Sequence, residues 1–167
     1  ASAVFLTAQQ PNVPSELERQ QSEVDLIIGG RIGAQPRIAV PNCLALSPEP
    51  EVAGAAQTIA EVLWDDLDFE REFRMVARDT YDSIPTARSL IDLPLDNWRE
   101  LGADGVVSCS VEWISNNRMR VTVRLFNVRS MASSFGVEYS GATSNVRIYA
   151  HQLSDEIHRH QRGLRGV

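Results

Sequence analysis

The chain has 167 residues, of which 43% are hydrophobic and 23% charged, the proportions of a folded globular domain rather than of a disordered chain. Its formal net charge is −6 and all 16 basic residues are arginines, which argues against general affinity for nucleic acid or for anionic membrane surfaces. No apolar run approaches the roughly 18 residues that span a membrane, so we expect one domain without direct membrane insertion.

The first 22 residues are interpreted as a flexible lead-in. Residues 1–8 are small and apolar, whereas residues 9–22 are polar, contain proline and offer little to bury. The apolar start fits either the remnant of a secretory signal or an irregular start such as a tag scar. The folded domain is therefore predicted to occupy residues 23–167.

A short apolar run followed by two glycines is the candidate binding site. Apolar side chains alternate at Val24, Leu26 and Ile28, and Gly29-Gly30 allow the run to turn as a unit. We interpret it as an extended arm that adds a strand to a partner's sheet; the alternative is an edge strand of its own sheet. The candidate partner-binding residues are Glu23, Val24, Asp25, Leu26, Ile27 and Ile28.

The first half of the domain carries one long helix between short strands. Brief strands are predicted at 38–40 and 73–76, and a single helical turn at 97–102 is closed by Gly102. Pro48-Glu49-Pro50 is typical of a helix start. The stripe that recurs at helical spacing and should face a core is Val52, Ala56, Ile59, Leu63 and Leu67.

The second half predicts a hairpin, a third strand and a second long helix. Apolar residues alternate over 107–113 and 119–125 around a turn at 115–117, and again over 135–139. A helix over 143–162 should bury Val146, Tyr149, Leu153 and Ile157 and end at residues 163–166. We therefore predict an α/β domain of the α+β type: two layers, a mixed sheet of about five strands, and two long helices on one face.

The sequence contains no recognisable motif of catalytic, cofactor-binding or metal-binding residues. His158 and His160 are two residues apart on a helix, so they point to different faces and cannot share a metal. His151 has Asp155 one turn away as an ordinary surface partner. The acids near the end of the first helix, Asp65 and Asp66 among them, are expected to pair with arginines such as Arg71 or Arg74. Arg118, Arg120 and Arg124 are interpreted as a solvated strand face.

The chain has two cysteines, Cys43 and Cys109. They fit no zinc-ligand pattern. Two interpretations stay open from the sequence: one disulfide formed in an oxidising compartment, or two small buried hydrophobic side chains.

Four stretches together resemble the TolB amino-terminal domain family. They are an arm and first strand at 23–41, Leu101-Gly102-Ala103-Asp104 before a central strand, a strand ending in Asn127-Val128, and residues 150–157 followed by Gly163-Leu164-Arg165-Gly166. The resemblance implies an adaptor of the periplasmic Tol–Pal system, which supports outer-membrane integrity and cell division, and not an enzyme. It also implies that the arm, residues 23–28, binds the carboxy-terminal domain of TolA. The lipoprotein Pal would bind a six-bladed propeller that these 167 residues do not include.

Besides this monomeric adaptor, two other classes of protein are considered. A small-ligand sensor domain would need a deep apolar cavity. A small hydrolase would need a pocket with convergent titratable groups.

Overall fold

The computed structural model describes residues 34–165, with side chains described as far as residue 162. The lead-in at 1–22, the predicted arm at 23–28 and Gly29-Gly30 lie outside the described residues. Within the described part, no helix is long and apolar enough to cross a membrane.

Six strands and three α-helices follow one another along the described chain. They are β1 (Arg37–Ala39), β2 (Leu44–Ala45), α1 (Pro50–Phe69), β3 (Arg74–Met75), α2 (Leu95–Glu100), β4 (Gly105–Ser115), β5 (Arg118–Asn127), β6 (Ala132–Ala142) and α3 (Val146–Arg165). Short 3₁₀ turns at Arg78–Ser83 and Thr143–Asn145 precede α2 and α3.

The strands form one mixed sheet in the order β3-β1-β4-β5-β6, and β2 pairs with the second half of β4. β1 is parallel to both β3 and β4, whereas β4, β5 and β6 are successively antiparallel. Asn116 and Asn117 turn the β4–β5 hairpin with positive φ, a conformation that Asn tolerates better than most residues. The predicted hairpin and third strand are confirmed.

Both long helices pack on one face of the sheet. The predicted stripe of α1 is buried along its length, and Tyr149, Leu153 and Ile157 of α3 are at most 9% exposed. These residues share one core with Val107, Cys109 and Val111 of β4. The two-layer arrangement is therefore confirmed, with six strands in the described part where about five were predicted.

A second, smaller apolar cluster covers part of the opposite face. Ala39 and Val106, whose side chains alternate with those of the main core, pack against Trp98 and Leu95 of α2. Tyr81 meets Trp98 edge-on, with ring centroids 4.9 Å apart. The turn-rich segment between β3 and β4 thus shields this half of the sheet.

The end of α3 differs from the prediction. The helix runs on to Arg165, so Gly163 lies inside it and does not end it, because glycine weakens a helix only by about 1 kcal/mol and does not forbid it.

Candidate functional site

The structure describes the base of the predicted arm and not the arm itself. The chain enters the described part at Ala34, three residues before β1. Gln35 donates a hydrogen bond from its amide to the Arg71 carbonyl, just beyond α1, and the Arg74 N–H donates to the Pro36 carbonyl at 2.9 Å. The residues before β1 are thus held against the α1–β3 connection.

Asp104 fixes the first residue of β1. Its carboxylate accepts a hydrogen bond from the Arg37 N–H at 2.8 Å, and its own N–H donates to the Arg37 carbonyl at 2.7 Å. The Asp104 carbonyl accepts from the Val128 N–H at 3.1 Å, just after β5. One residue therefore ties β1, the start of β4 and the end of β5 together.

Gly102 lets the chain reach this position after α2. Its φ is +80°, a conformation that favours glycine, and a Cβ there would lie 2.5 Å from the Arg37 guanidinium Nη1. Its N–H donates to the Arg99 carbonyl at 2.9 Å, and the next N–H, of buried Ala103, donates to the Trp98 carbonyl at 3.0 Å. We call this junction of Gly102, Ala103, Asp104 and Arg37 the arm root.

Sequence patterns alone do not predict the contacts of the arm root. Arg37 and Asp104 are 67 residues apart, and no spacing rule joins them. The Leu101-Gly102-Ala103-Asp104 motif is the part of the sequence that marks this junction. Gly102 takes the positive φ that follows α2, and Asp104 accepts the hydrogen bond from the Arg37 N–H.

The acids at the end of α1 pair with partners other than those predicted. Asp65 lies 3.6 Å from Arg78, and Asp66 lies 2.7 Å from His151 of α3. The expected Arg71 and Arg74 partners are therefore wrong, and so is Asp155 as the partner of His151. Because α1 and α3 pack side by side, the neighbouring helix offers closer partners than the next turn of the same helix.

A second group of charged side chains joins the segment just after α1 to the last turns of α3. His158 contacts both Glu70 and Glu72, the latter at 3.3 Å, and Arg162 lies 2.9 Å from Glu72. Burial raises the pKa of Glu70, an effect that the nearby His158 partly opposes. His160 points elsewhere, as its spacing predicts, and stacks on Phe135 of β6.

Cys43 and Cys109 form a disulfide with their Cα atoms 4.6 Å apart. Both residues are buried, and they precede the Leu44 and Ser110 partners of the β2–β4 pair by one position. The bond therefore links β2 covalently to the central strand β4. Of the two interpretations left open by the sequence, the disulfide is the correct one.

A cleft of about 260 Å³ lies on the face opposite the long helices. Tyr81 borders it, and its hydroxyl donates to the Val76 carbonyl and accepts from the Val40 N–H, both at 3.0 Å. Burial raises the pKa of this phenol. The cleft is smaller than the roughly 300–1,000 Å³ usual for small-molecule sites. In the part of the chain described, no three His, Cys, Asp or Glu side chains converge to hold a metal.

Comparison with known proteins identifies the family to which this fold belongs. A family model described as the TolB amino-terminal domain matches residues 24–133. The chain belongs to the TolB amino-terminal domain family.

Individual relatives and structures agree with the family match. The Tol-Pal system protein TolB of Desulfosudis oleivorans is 32% identical over 78% of this chain and 30% of its own length. Its counterpart in Xylella fastidiosa strain M12 is 31% identical over 92% of this chain and 34% of its own length. The chain thus spans about a third of the length of these TolB relatives.

Solved structures show the same fold. TolB from Acinetobacter baumannii superimposes with a TM-score of 0.58 at 16% identity, over 78% of this chain and 29% of that one. The LpoB C-terminal domain from Salmonella enterica gives 0.53 at 15% identity, over 72% of this chain and 91% of that domain. The TolB amino-terminal fold is therefore also found in a protein of another name.

Proposed function

We propose that this chain is a non-enzymatic adaptor domain of the Tol–Pal cell-envelope system and that it works in the periplasm. Residues 23–28 pair as an added strand with the carboxy-terminal domain of TolA. Pal binds a propeller carried by the full-length protein, and the assembly supports outer-membrane integrity and cell division.

The observation that carries the proposal is the arm root. A segment that adds a strand to another protein's sheet needs a fixed base, so that binding positions the domain instead of unravelling it. Arg37 is held by reciprocal hydrogen bonds to Asp104, and β1 is paired on both sides. The residues that precede this base include the alternating Val24, Leu26 and Ile28, a pattern suited to strand addition.

The disulfide supports a periplasmic location. Disulfides persist in oxidising compartments, of which the bacterial periplasm is one, and are rare in the cytosol. Cys43 and Cys109 are paired and buried within the sheet core, as expected for a structural bond of an exported protein.

Substitutions in the arm test the proposal. Ile27→Glu and Leu26→Arg each place a charge where strand pairing removes water, so we expect loss of binding to the TolA carboxy-terminal domain in calorimetry. Val13→Glu, in the lead-in, is the matched control and should bind as wild type. Melting temperatures followed by circular dichroism should shift by only a few degrees, since surface changes usually cost within about 0.5 kcal/mol.

Two outcomes would overturn the assignment. If the arm variants unfold while the control is stable, residues 24–28 belong to the domain core. If they fold and still bind TolA, the interaction lies elsewhere on the domain.

A further inference from the structure

Strand β6 has a long edge that is open in the described part of the chain. Its 11 residues pair with β5, and no strand between residues 34 and 165 pairs with its other side. Natural edge strands are commonly protected by lysine, proline or an inward-pointing charge. β6 contains neither lysine nor proline, and its one charged residue, Glu138, is exposed. The edge is therefore able to accept another strand.

The chain enters the described part far from this edge. Gln35 donates a hydrogen bond to the Arg71 carbonyl, and the Pro36 carbonyl accepts one from the Arg74 N–H. Both contacts lie on the β3 side of β1, whereas β4 and β5 separate β1 from β6. The residues just before β1 therefore lead away from β6, which favours an occupant from another molecule.

Alternate backbone groups of β6 point to the open edge. The register between β5 and β6 is regular over residues 135–142, and one position further the Thr143 N–H donates to the Asn117 carbonyl at 2.9 Å. Hydrogen-bonded and non-hydrogen-bonded pairs alternate in an antiparallel ladder, so the odd-numbered residues of this stretch bond to β5. The N–H and C=O groups of the even-numbered residues, Gly136 and Glu138 among them, point outward.

Half-buried apolar side chains line the helix side of the edge. They are Phe135, Val137 and Tyr139, which pack against the main core. The inward side chains of the neighbouring β5 are at most 1% exposed, so α3 covers β5 completely and β6 only in part. A strand added at the edge would cover the surface of this row that α3 leaves exposed.

The opposite face of the edge carries charges that can accept further partners. Arg124 of β5 is exposed and lies in register with Gly136, and it makes none of the ion pairs found among the described side chains. Because Gly136 has no side chain, the path of Arg124 toward the edge is free. One oxygen of Glu138 pairs with Arg120 at 3.2 Å. Within residues 34–162 the other oxygen has only the Thr122 hydroxyl, at 3.5 Å.

We propose that β6 pairs antiparallel with β6 of a second copy about a two-fold axis at Val137, so that the chain forms a dimer instead of the monomer expected from the sequence. The outward groups of Gly136 in each copy exchange hydrogen bonds with those of Glu138 in the other. On the helix side, Phe135 of each copy meets Tyr139 of the other, and the two valines meet at the axis. This pairing is independent of the proposed binding of TolA.

Charge determines the register of the pairing. With the axis at Val137, Glu138 of one copy lies opposite Gly136 of the other, and Arg124 lies one strand further on. The backbones of Arg124 and Glu138 are then two strand spacings apart, about 10 Å, which their extended side chains can bridge over the glycine. An axis at Glu138 would place two glutamates opposite each other, which is destabilising. An axis at Gly136 would place Glu138 opposite Ser134, away from Arg124.

Sedimentation velocity on the full chain tests the dimer through a charge exchange. Arg124→Glu and Glu138→Arg each turn both symmetry-related ion pairs into like-charge contacts, so each variant alone should dimerise at least about tenfold more weakly than wild type. An equimolar mixture of the two variants restores opposite charges at both positions and should form a heterodimer. Arg118→Glu reverses a charge on the same face of β5 but opposite Ala142, away from the axis. It is the matched control and should associate as wild type does.

Three results would overturn the proposal or its register. Wild type that stays monomeric up to about 1 mM would overturn the dimer. A mixture that associates no better than either variant alone, with both variants folded by circular dichroism, would overturn the pairing of Arg124 with Glu138. An equal loss of association in Arg118→Glu would do the same.

Amide hydrogen exchange on wild type tests the same edge without a substitution. The outward amides of Gly136 and Glu138 should exchange at least about tenfold more slowly when the dimer predominates than in dilute protein, whereas those of Val137 and Tyr139, bonded to β5, should be protected at both concentrations. Fast exchange of the outward amides in the dimer would overturn the strand pairing. Protection that does not change on dilution would place a segment of the same chain on the edge and overturn the second copy.

Discussion

The Asp104 side chain contributes one hydrogen bond to the arm root, accepted from the Arg37 N–H. Asp104→Ala removes the acceptor of the partly buried Arg37 N–H, and leaving such a group unpaired costs about 1–3 kcal/mol. We expect that loss in the free energy of unfolding measured in urea. Asp104→Asn keeps an oxygen acceptor and should lose less. Equal losses in the two variants would contradict a role for this hydrogen bond.

His160 predicts a pH dependence. Burial lowers its pKa below the ordinary value of about 6.5, so the folded state binds this proton less readily than the unfolded state. Its contribution to stability is therefore complete above about pH 6.5 and is lost as the pH falls through the lowered value. His160→Gln should flatten the decline in unfolding free energy measured from pH 7.5 to 5. Parallel curves for wild type and variant would show that His160 does not contribute.

The two long helices are stabilised by buried aliphatic stripes. Ile59 of α1 and Leu153 of α3 are both fully buried, so Ile59→Ala and Leu153→Ala should each cost about 2–5 kcal/mol. Urea unfolding measures the loss. Ile148→Ala, on α3 but 54% exposed, is the matched control and should cost far less. Losses under about 1 kcal/mol at the buried sites would show that the stripes do not face the core.

The same elements show what the sequence could predict. Helical and strand periodicity reports burial within one element, so the stripe of α1 and the alternation of β4 to β6 were predictable. The partners of Asp65, Asp66 and His151 were not, because they depend on how α1 and α3 lie against each other. The β2 strand, two residues long, has no periodicity to detect and exists through its pairing with β4.

At the scale of the whole molecule, the disulfide joins residues 66 positions apart. A bond closing a loop of that length restricts the unfolded chain and typically contributes about 2–4 kcal/mol. The Cys43→Ala/Cys109→Ala variant should therefore melt several degrees lower than oxidised wild type, in calorimetry without reductant. Wild type with dithiothreitol should approach the variant. Coincident melting curves for oxidised wild type and variant would contradict a stabilising bond.

The candidate site was predictable only in part. Residues 23–28 stand out as an alternating apolar run between polar residues and glycines, a local pattern. The arm root arises from contacts between distant segments, such as Arg37 with Asp104. No local sequence pattern predicts such a contact, although the family motif at residues 101–104 includes Gly102, Ala103 and Asp104 of the arm root.

The interior position of β1 in the sheet also determines how the domain would respond to tension. A pull on the residues before Arg37 is directed along a strand that is hydrogen-bonded to parallel neighbours on both sides, β3 and β4. Such a load shears the flanking hydrogen bonds together, whereas a pull that peels an edge strand such as β6 breaks them one after another. The domain would therefore withstand greater force through its amino-terminal end than through β6.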